Sequence, residues 1–526
     1  MHNHTTPYET HKHSRKKRLF RLLSSRLFIV ALLILVQFVF LMGVMLYLGT
    51  GAYWVTHLFN IISILVVLWI LSKSDNPSFK IAWIIIIMAV PLLGGIFYLM
   101  FGNKRISRWM RRQMGEYSAI ISRTQQMERS DHEACVEQLA AVDPMQAREV
   151  QYIYNMSRLP LTTNTRCTYL PLGEDLFAAL LEQLPQARRF IFLEYFIIQE
   201  GQMWDSILAI LEQKVREGVE VRLMYDDMGC IQTLPNRYEL YLRTKGIKVG
   251  VFNPFRPRLT SSTNYRDHRK ICVIDGNVGF TGGINLADEY INARERFGHW
   301  KDTAVMLEGE GVRNLTEMFL QLWQFTCKEE SVLEDYLPTR SYPADGFVQA
   351  FGDSPLDTLN VAENAYMQII NHAKDYVYIT TPYLILDNEM VTALQLAAQS
   401  GIDVRIMTPH IPDKWYVHHV TQSFYRSLLS AGVRIFEYTP GFVHAKMFVS
   451  DDKTAIVGTT NMDFRSFYLH FECGVVFYRS SIVGDVKEDF LRTQQICTEI
   501  TLADEEEVGA PRRFLRSLLR GFSPLM

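Results

Sequence analysis

The sequence predicts an α/β protein of two pseudo-symmetric lobes, with mixed or parallel sheets flanked by helices, set behind an N-terminal helical membrane region. Three observations predict it. Apolar runs crowd the first 101 residues, strand and helix patterns alternate in two later stretches, and one eight-residue pattern occurs once in each stretch.

The apolar runs come first. Residues 27–48 carry no charge, and as a helix rising about 1.5 Å per residue they would measure about 33 Å, enough to cross hydrocarbon. Residues 53–71 are apolar apart from Thr56, His57, Asn60 and Ser63, and residues 81–101 are again uncharged. A cleaved signal peptide is excluded, because the first run is too long for one and two more follow closely. Basic clusters flank the set: Lys12 to Arg26 before it, and Lys104, Arg105, Arg108, Arg111 and Arg112 after it. Positive flanks prefer the cytoplasm, yet three crossings would separate the two clusters. One run is therefore expected not to span. Pro91 and Gly94-Gly95 single out the third as a re-entrant hairpin, with a kinked spanning helix as the alternative. The expected location is a multi-pass protein of a bacterial cell membrane, its later lobes on the cytoplasmic side.

The alternation follows. In one stretch, strands are expected at 189–198, 220–225 and 247–252, with helices at 206–216 and 238–244. In the other, strands are expected at 375–384, 403–408 and 433–438, with helices at 390–399 and 417–430. The expected organisation is a basic tail (1–26), the membrane region (27–101), a linker with a helix (102–150), a first lobe (151–340), a second lobe (341–510) and a basic amphipathic tail (511–526). In that tail Phe514, Leu515, Leu518, Leu519 and Phe522 share one helical face while Arg512, Arg516 and Arg520 share another. The pattern suits a helix lying on anionic lipid, or one packed on its own domain.

The repeated pattern is His268-Arg269-Lys270-Ile271-Cys272-Val273-Ile274-Asp275, then Gly282-Gly283-Ile284-Asn285; its counterpart is His444-Ala445-Lys446-Met447-Phe448-Val449-Ser450-Asp451, then Gly458-Thr459-Thr460-Asn461. Five matched positions would recur by chance on the order of once in 10⁷ starts. His and Lys two apart share one face of a strand, so each copy offers an imidazole beside a cation. Two facing copies would bring His268, Lys270, His444 and Lys446 around one phosphorus. The lysines would neutralise phosphate oxygens, one histidine would attack, and the other would move the proton. Asn285 and Asn461 can donate to the same oxygens as substrate-binding groups. No metal and no cofactor is required, because the lysines take the electrostatic role of a metal.

These residues resemble the phospholipase D superfamily, whose signature H-x-K-x4-D-x6-G-[SGT]-x-N is present twice per active site. Leu193-Glu194-Tyr195-Phe196, Tyr225-Asp226-Asp227-Met228-Gly229, Asp288-Glu289-Tyr290, Trp300-Lys301-Asp302-Thr303, Thr381-Pro382-Tyr383 and Asn461-Met462-Asp463-Phe464-Arg465-Ser466 look like its bacterial cardiolipin synthase branch. The resemblance covers roughly residues 160–500. It implies two fused phospholipase-D-like lobes and transfer through a phosphatidyl-histidine, with phosphatidylglycerol as substrate, cardiolipin as product and the lipid bilayer as partner. By analogy His268 is the nucleophile and His444 the acid–base, the symmetry leaving the reverse order open. Asp275 and Asp451 complete the catalytic motifs, more as braces than as reacting groups. Glu289 and Glu472 are expected to orient the histidines. Two residues depart from the family pattern: Asp267 and His470 stand where Asn is frequent.

A hydrolase of the same lipids, or a phosphatidyltransferase with another donor or acceptor, fits the same motifs. Nucleic acid is not an expected partner: a net charge of −2 and three apolar runs do not describe a basic nuclease. Seven cysteines without a C-x-x-C suggest neither a zinc site nor a disulfide framework.

Overall fold

The computed structural model describes residues 53–89, 94–95, 97–102, 125–255, 264–357 and 359–525, together with Leu35, Val39 and Gly43, which are helical. The chain divides into two compact units, Met1–Lys104 with Pro254–Thr263, and Arg105–Asn253 with Asn264–Met526.

In the first unit, helix Tyr53–Ser72 is followed by helix Pro77–Ala89, the two packed through Val66, Ile70 and Ile87. Asn76 accepts from Ser78 N to start the second helix, with Pro77 in its first turn, where its missing N–H costs nothing. The third apolar run does not continue in line. Trp83 and Tyr98 have ring centroids 5.4 Å apart, whereas fifteen residues of straight helix would separate them by about 22 Å. A Cβ on Gly94 would lie 2.5 Å from Ile87 Cα, so only glycine lets the returning chain lie against the helix. Tyr98 accepts a hydrogen bond from Lys73 Nζ at 2.9 Å, beside the turn between the helices. Residues 77–89 and 94–102 thus lie side by side; Pro91, named as the breaker, is outside the described residues. Leu58, Ile61, Ile64, Leu65, Leu68 and Leu71 face outward. Among the described residues no helix is long and apolar enough to cross a membrane. The first run, apart from three positions, also lies outside them.

The second unit holds two mixed sheets of one design. The first is built from β1 (Thr165–Leu170), β2 (Phe190–Tyr195), β3 (Glu220–Asp226), β4 (Lys248–Phe252), β6 (Lys270–Ile274), β7 (Val278–Gly282) and β9 (Ala304–Gly309), in the order β1-β9-β7-β6-β2-β3-β4. The second uses β10 (Phe347–Asp353), β11 (Tyr376–Thr380), β12 (Asp403–Pro409), β13 (Arg434–Tyr438), β15 (Met447–Ser450), β16 (Thr454–Gly458) and β17 (His470–Tyr478), in the order β10-β17-β16-β15-β11-β12-β13, extended by β18 (Cys497–Ile500). Strand for strand the orders match. β2, β3 and β4 are parallel, as are β11, β12 and β13; the motif strands β6 and β15 run antiparallel to β2 and β11. The fully buried β2 (FIFLEY, apolar but for Glu194) needs helices on both faces, which Gln202–Arg216 and Val312–Cys327 supply.

Of the expected linker, residues 103–124 lie outside the described residues; helix Gln125–Val142 falls within it, and helix Pro144–Ser157 runs past its expected end at residue 150. The latter joins the second sheet: Gln146 Nε2 donates to Thr454 Oγ1 at 2.8 Å, and Gln349 donates to the Val150 carbonyl. The C-terminal helix Ala510–Phe522 packs on helix Trp415–Leu429 by its arginine side. Arg516 is buried against Glu505 at 2.9 Å and Gln422 at 2.7 Å, and Arg520 lies 4.1 Å over the Phe424 ring, leaving Phe514, Leu518 and Trp415 exposed.

The halves are also tied by buried charge. Lys301, next to the first sheet, places Nζ 2.9 Å from Asp489 of helix Ile482–Gln494, which also accepts from Tyr169 of β1. Asp489→Ala would strand the Lys301 ammonium in the interior, a loss of about 3–5 kcal/mol. Thermal melting of the full chain in detergent should show it as a clear drop in midpoint relative to the parent.

Candidate active site

Each motif histidine stands where its lobe reaches across to the other. His268 follows β5 (Arg266–Asp267), which pairs in parallel with the start of β17, and its backbone N–H donates to the Phe471 carbonyl at 2.9 Å. His444 follows β14 (Gly441–Val443), which pairs in parallel with β8 (His299–Lys301), and its N–H donates to the Lys301 carbonyl at 2.7 Å. The residue after each accepting carbonyl is a carboxylate. Glu472 lies 2.9 and 3.0 Å from His268 Nδ1, and Asp302 lies 2.6 Å from His444 Nδ1. Each imidazole is therefore oriented by an acid of the opposite half. With the Nδ1 proton directed at the acid, Nε2 keeps its lone pair for chemistry.

The four motif side chains share one electrostatic neighbourhood. His268 and His444 are 7% exposed, Lys270 2% and Lys446 1%. Burial, then Lys270, Lys446 and His444, hold His268 well below its usual value; burial and then Lys446 push His444 down to about 4. Burial lowers Lys270 to about 8 and Lys446 to about 7 against the pull of the surrounding acids. Burial alone would raise Asp302, but Lys446 and His444 hold it below the usual carboxylate range. Both ammoniums fold back onto the carbonyl of their own histidine. A phosphodiester anion would give these cations a better partner, and would favour a second proton on an adjacent imidazole.

The other expected site residues fall elsewhere. Asp275 accepts from the backbone N–H groups of Arg188, Arg189 and Phe190 at 2.7–3.0 Å, and Asp451 from those of Lys374, Asp375 and Tyr376 at 2.8–3.0 Å. They brace the strands beneath the motifs, at the far end from the imidazoles. Asn285 is engaged by Ile197 N and Tyr290 OH, while Asn461 donates to Ser466 Oγ and its buried Oδ1 has no hydrogen-bond partner. Glu289 is clamped by Arg294 and Arg296 and touches neither histidine.

The residue missed from the sequence is Asp302. Gly282 pairs with Ala304 and Gly458 with Gly474, so Asp302 and Glu472 each stand two residues before the partner of the motif glycine. That register was the available signal; a longer segment before Asp302 than before Glu472 hid it. A Cβ on Gly283 would come within 2.0 Å of Asp302 Oδ1, which explains the glycine there. The matching Thr459 instead donates its hydroxyl to Glu472. Of the two departures, Asp267 is buried beside Arg269, which pairs with Glu194 at 2.6 Å, and the His470 ring lies tilted at 41° to that of His268 with centroids 5.5 Å apart. Among the described residues, His268, His470 and Glu472 form the group able to hold a metal ion, their ligand atoms lying within 4.8 Å of one another. A metal held there would occupy the oxygens that orient His268.

Residues 180–323 and 366–494 match the family described as cardiolipin synthase, PLD-like domain, and residues 59–103 match the phospholipase D-nuclease N-terminal family. The chain belongs to the cardiolipin synthase family of phospholipase-D-like proteins. It is 34% identical over 508 residues to a cardiolipin synthase of Geobacillus thermodenitrificans, covering 94% of this chain and 99% of that one. A protein of Streptococcus mutans described as uncharacterized is 44% identical over 465 residues, covering 88% and 99%. The fold matches the crystal structure of a phosphatidylserine synthase of Haemophilus influenzae with a TM-score of 0.54 at 14% identity, covering 72% of this chain and 97% of that one. As in the rest of this branch of the superfamily, the chemistry is that of a phospholipid phosphatidyltransferase.

Two outcomes follow from the site. Asp302→Asn leaves the shape but removes the charge that fixes the His444 tautomer, and turnover should fall by about 10²–10⁴-fold while melting is little changed. The kcat/KM profile should decline through about pH 7–8, because the cations exist below the lysine values and disappear as Lys446 and then Lys270 lose protons. A pH-rate series on the detergent-solubilised chain reads this directly.

Proposed function

We propose that this protein is a cardiolipin synthase that joins two phosphatidylglycerols into cardiolipin and glycerol through a phosphatidyl-histidine. The observation carrying this reading is the crossed pairing of His268 with Glu472 and His444 with Asp302, next to two buried lysines. In the first step Nε2 of one imidazole bonds to phosphorus, the bond to the head-group glycerol oxygen breaks, and the other imidazole protonates that oxygen. In the second step this imidazole takes the proton from the terminal hydroxyl of another phosphatidylglycerol, whose oxygen bonds to phosphorus as the histidine departs. Lys270 and Lys446 hold the non-bridging oxygens throughout. Water in place of the lipid alcohol would give a hydrolase; the near-complete burial of the four motif side chains favours transfer.

The catalytic lobes act from the cytoplasmic face of a bacterial membrane on this reading. The outward apolar side chains of helix Tyr53–Ser72 support a lipid setting. The basic flanks of the apolar runs, Lys12 to Arg26 and Lys104 to Arg112, support the orientation, since positive flanks prefer the cytoplasm.

Incubating the purified full-length protein with phosphatidylglycerol vesicles should yield cardiolipin and glycerol. His268→Ala and His444→Ala should each lower the yield at least about 10³-fold, and a chelator should leave it unchanged. Phosphatidic acid as the main product would replace the synthase reading with the hydrolase.

A further inference from the structure

The repeat that builds the site is broken in charge at one place. Four residues after Asn285 stands Glu289, neutralised by Arg294 at 2.5 Å and Arg296 at 2.8 Å. Four residues after Asn461 stands Arg465, half-buried, and among the described residues no carboxylate lies within ion-pair distance of it. Its Nε reaches only His470 Nε2, at 3.4 Å. The mates of the flanking rings differ likewise. Two residues before Asp302 is Trp300, which with Tyr290 and Phe442 forms an aromatic wall 5.4–5.8 Å from His444. Two residues before Glu472 is His470, whose buried Nδ1 lies 3.5 Å from Oε1 of Glu472, the acid that also orients His268.

A second cation stands nearby. Arg266 pairs in register with His470; it donates to Asp226 at 3.1 Å and to the Asn253 carbonyl at 3.0 Å, while its buried Nε has no partner. Burial and the neighbouring Arg266 lower the Arg465 guanidinium's hold on its proton, with Asp463 opposing. Arg266 has Asp226 and His470 has Glu472, so Arg465 is the cation of this corner that lacks an anion among the described residues. From Arg465 through His470 to His268 are three side chains in succession, the first step 3.4 Å between nitrogens and the second 5.5 Å between ring centroids.

We propose that Arg465, with His470 and Arg266, forms a binding site for the phosphodiester of the incoming lipid, holding its terminal glycerol hydroxyl at the reacting phosphorus. The assignment rests on the phosphatidyl-transfer reading above and adds the means by which a phosphate-bearing alcohol is chosen over others. Guanidinium suits it, since it can grip two phosphate oxygens at once. In-line displacement sets the attacking and leaving groups on opposite faces of phosphorus, so the head groups pass on the side of the proton-carrying imidazole. Arg465 stands on the His268 side. His268 therefore moves the proton and His444 bonds to phosphorus, the reverse of the order that family resemblance suggests.

The test is a competition in vesicles of phosphatidylglycerol containing 1-propanol, with the full-length protein. The ratio of cardiolipin to phosphatidylpropanol is compared among the parent, Arg465→Gln and Arg465→Lys. The ratio should fall at least about tenfold in Arg465→Gln and recover in part in Arg465→Lys, whatever happens to total turnover. An unchanged ratio, or loss of both products in step in both variants, overturns the site. A parent that makes phosphatidylpropanol but no cardiolipin overturns the synthase reading instead. Alkaline quench during turnover, followed by peptide mapping, should place the covalent phosphatidyl group on His444; finding it on His268 overturns the side assigned to the acceptor.

Discussion

The structure depends on an exchange of short strands between its halves. β5 lies on β17 and β14 lies on β8, and each pairing delivers a histidine to a carboxylate that its own half does not own. The hydrogen bonds of these pairings are few, yet they set the position of both imidazoles to within the tolerance of a backbone ladder. A side chain alone, with its rotamers, could not hold a nucleophile and a proton carrier in register across two domains. The buried Lys301–Asp489 pair next to the same seam adds a contact that is unfavourable to break, so the halves do not drift.

Around that seam the protein keeps charge where charge is expensive. Two ammoniums, two imidazoles and two carboxylates are withdrawn from water together, and the lysines respond by loosening their protons. Stability alone would favour a leaner arrangement. The braces at Asp275 and Asp451 show where the compensation lies: each satisfies three backbone N–H groups at the base of its sheet. The motif aspartates thus stiffen the platform from which the histidines act.

Much of this was legible in the sequence. The doubled pattern located the four motif side chains, and strand–helix alternation located β2, β3, β4 and their counterparts β11, β12, β13. Both sheets are mixed because the motif strands return antiparallel, which the alternation of parallel elements did not display. What stayed hidden were contacts made across the halves. Glu289 looked suitable because it follows the first motif closely, but its neighbours Arg294 and Arg296 claim it. Asp302 became recognisable only once the register of β7 with β9 could be laid beside that of β16 with β17. The third apolar run was ambiguous because hydropathy records composition, whereas the packing of Gly94 on Ile87 records direction.

The crossed strands carry a consequence for biosynthesis. A ribosome releases the first half with His268 and Lys270 in place but without Glu472, and with Asp302 facing no imidazole. Such a nascent chain has no oriented histidine to turn on the surrounding phospholipids. Reactivity switches on only when β17 of the second half is laid down, so phospholipids never meet a half-made transferase.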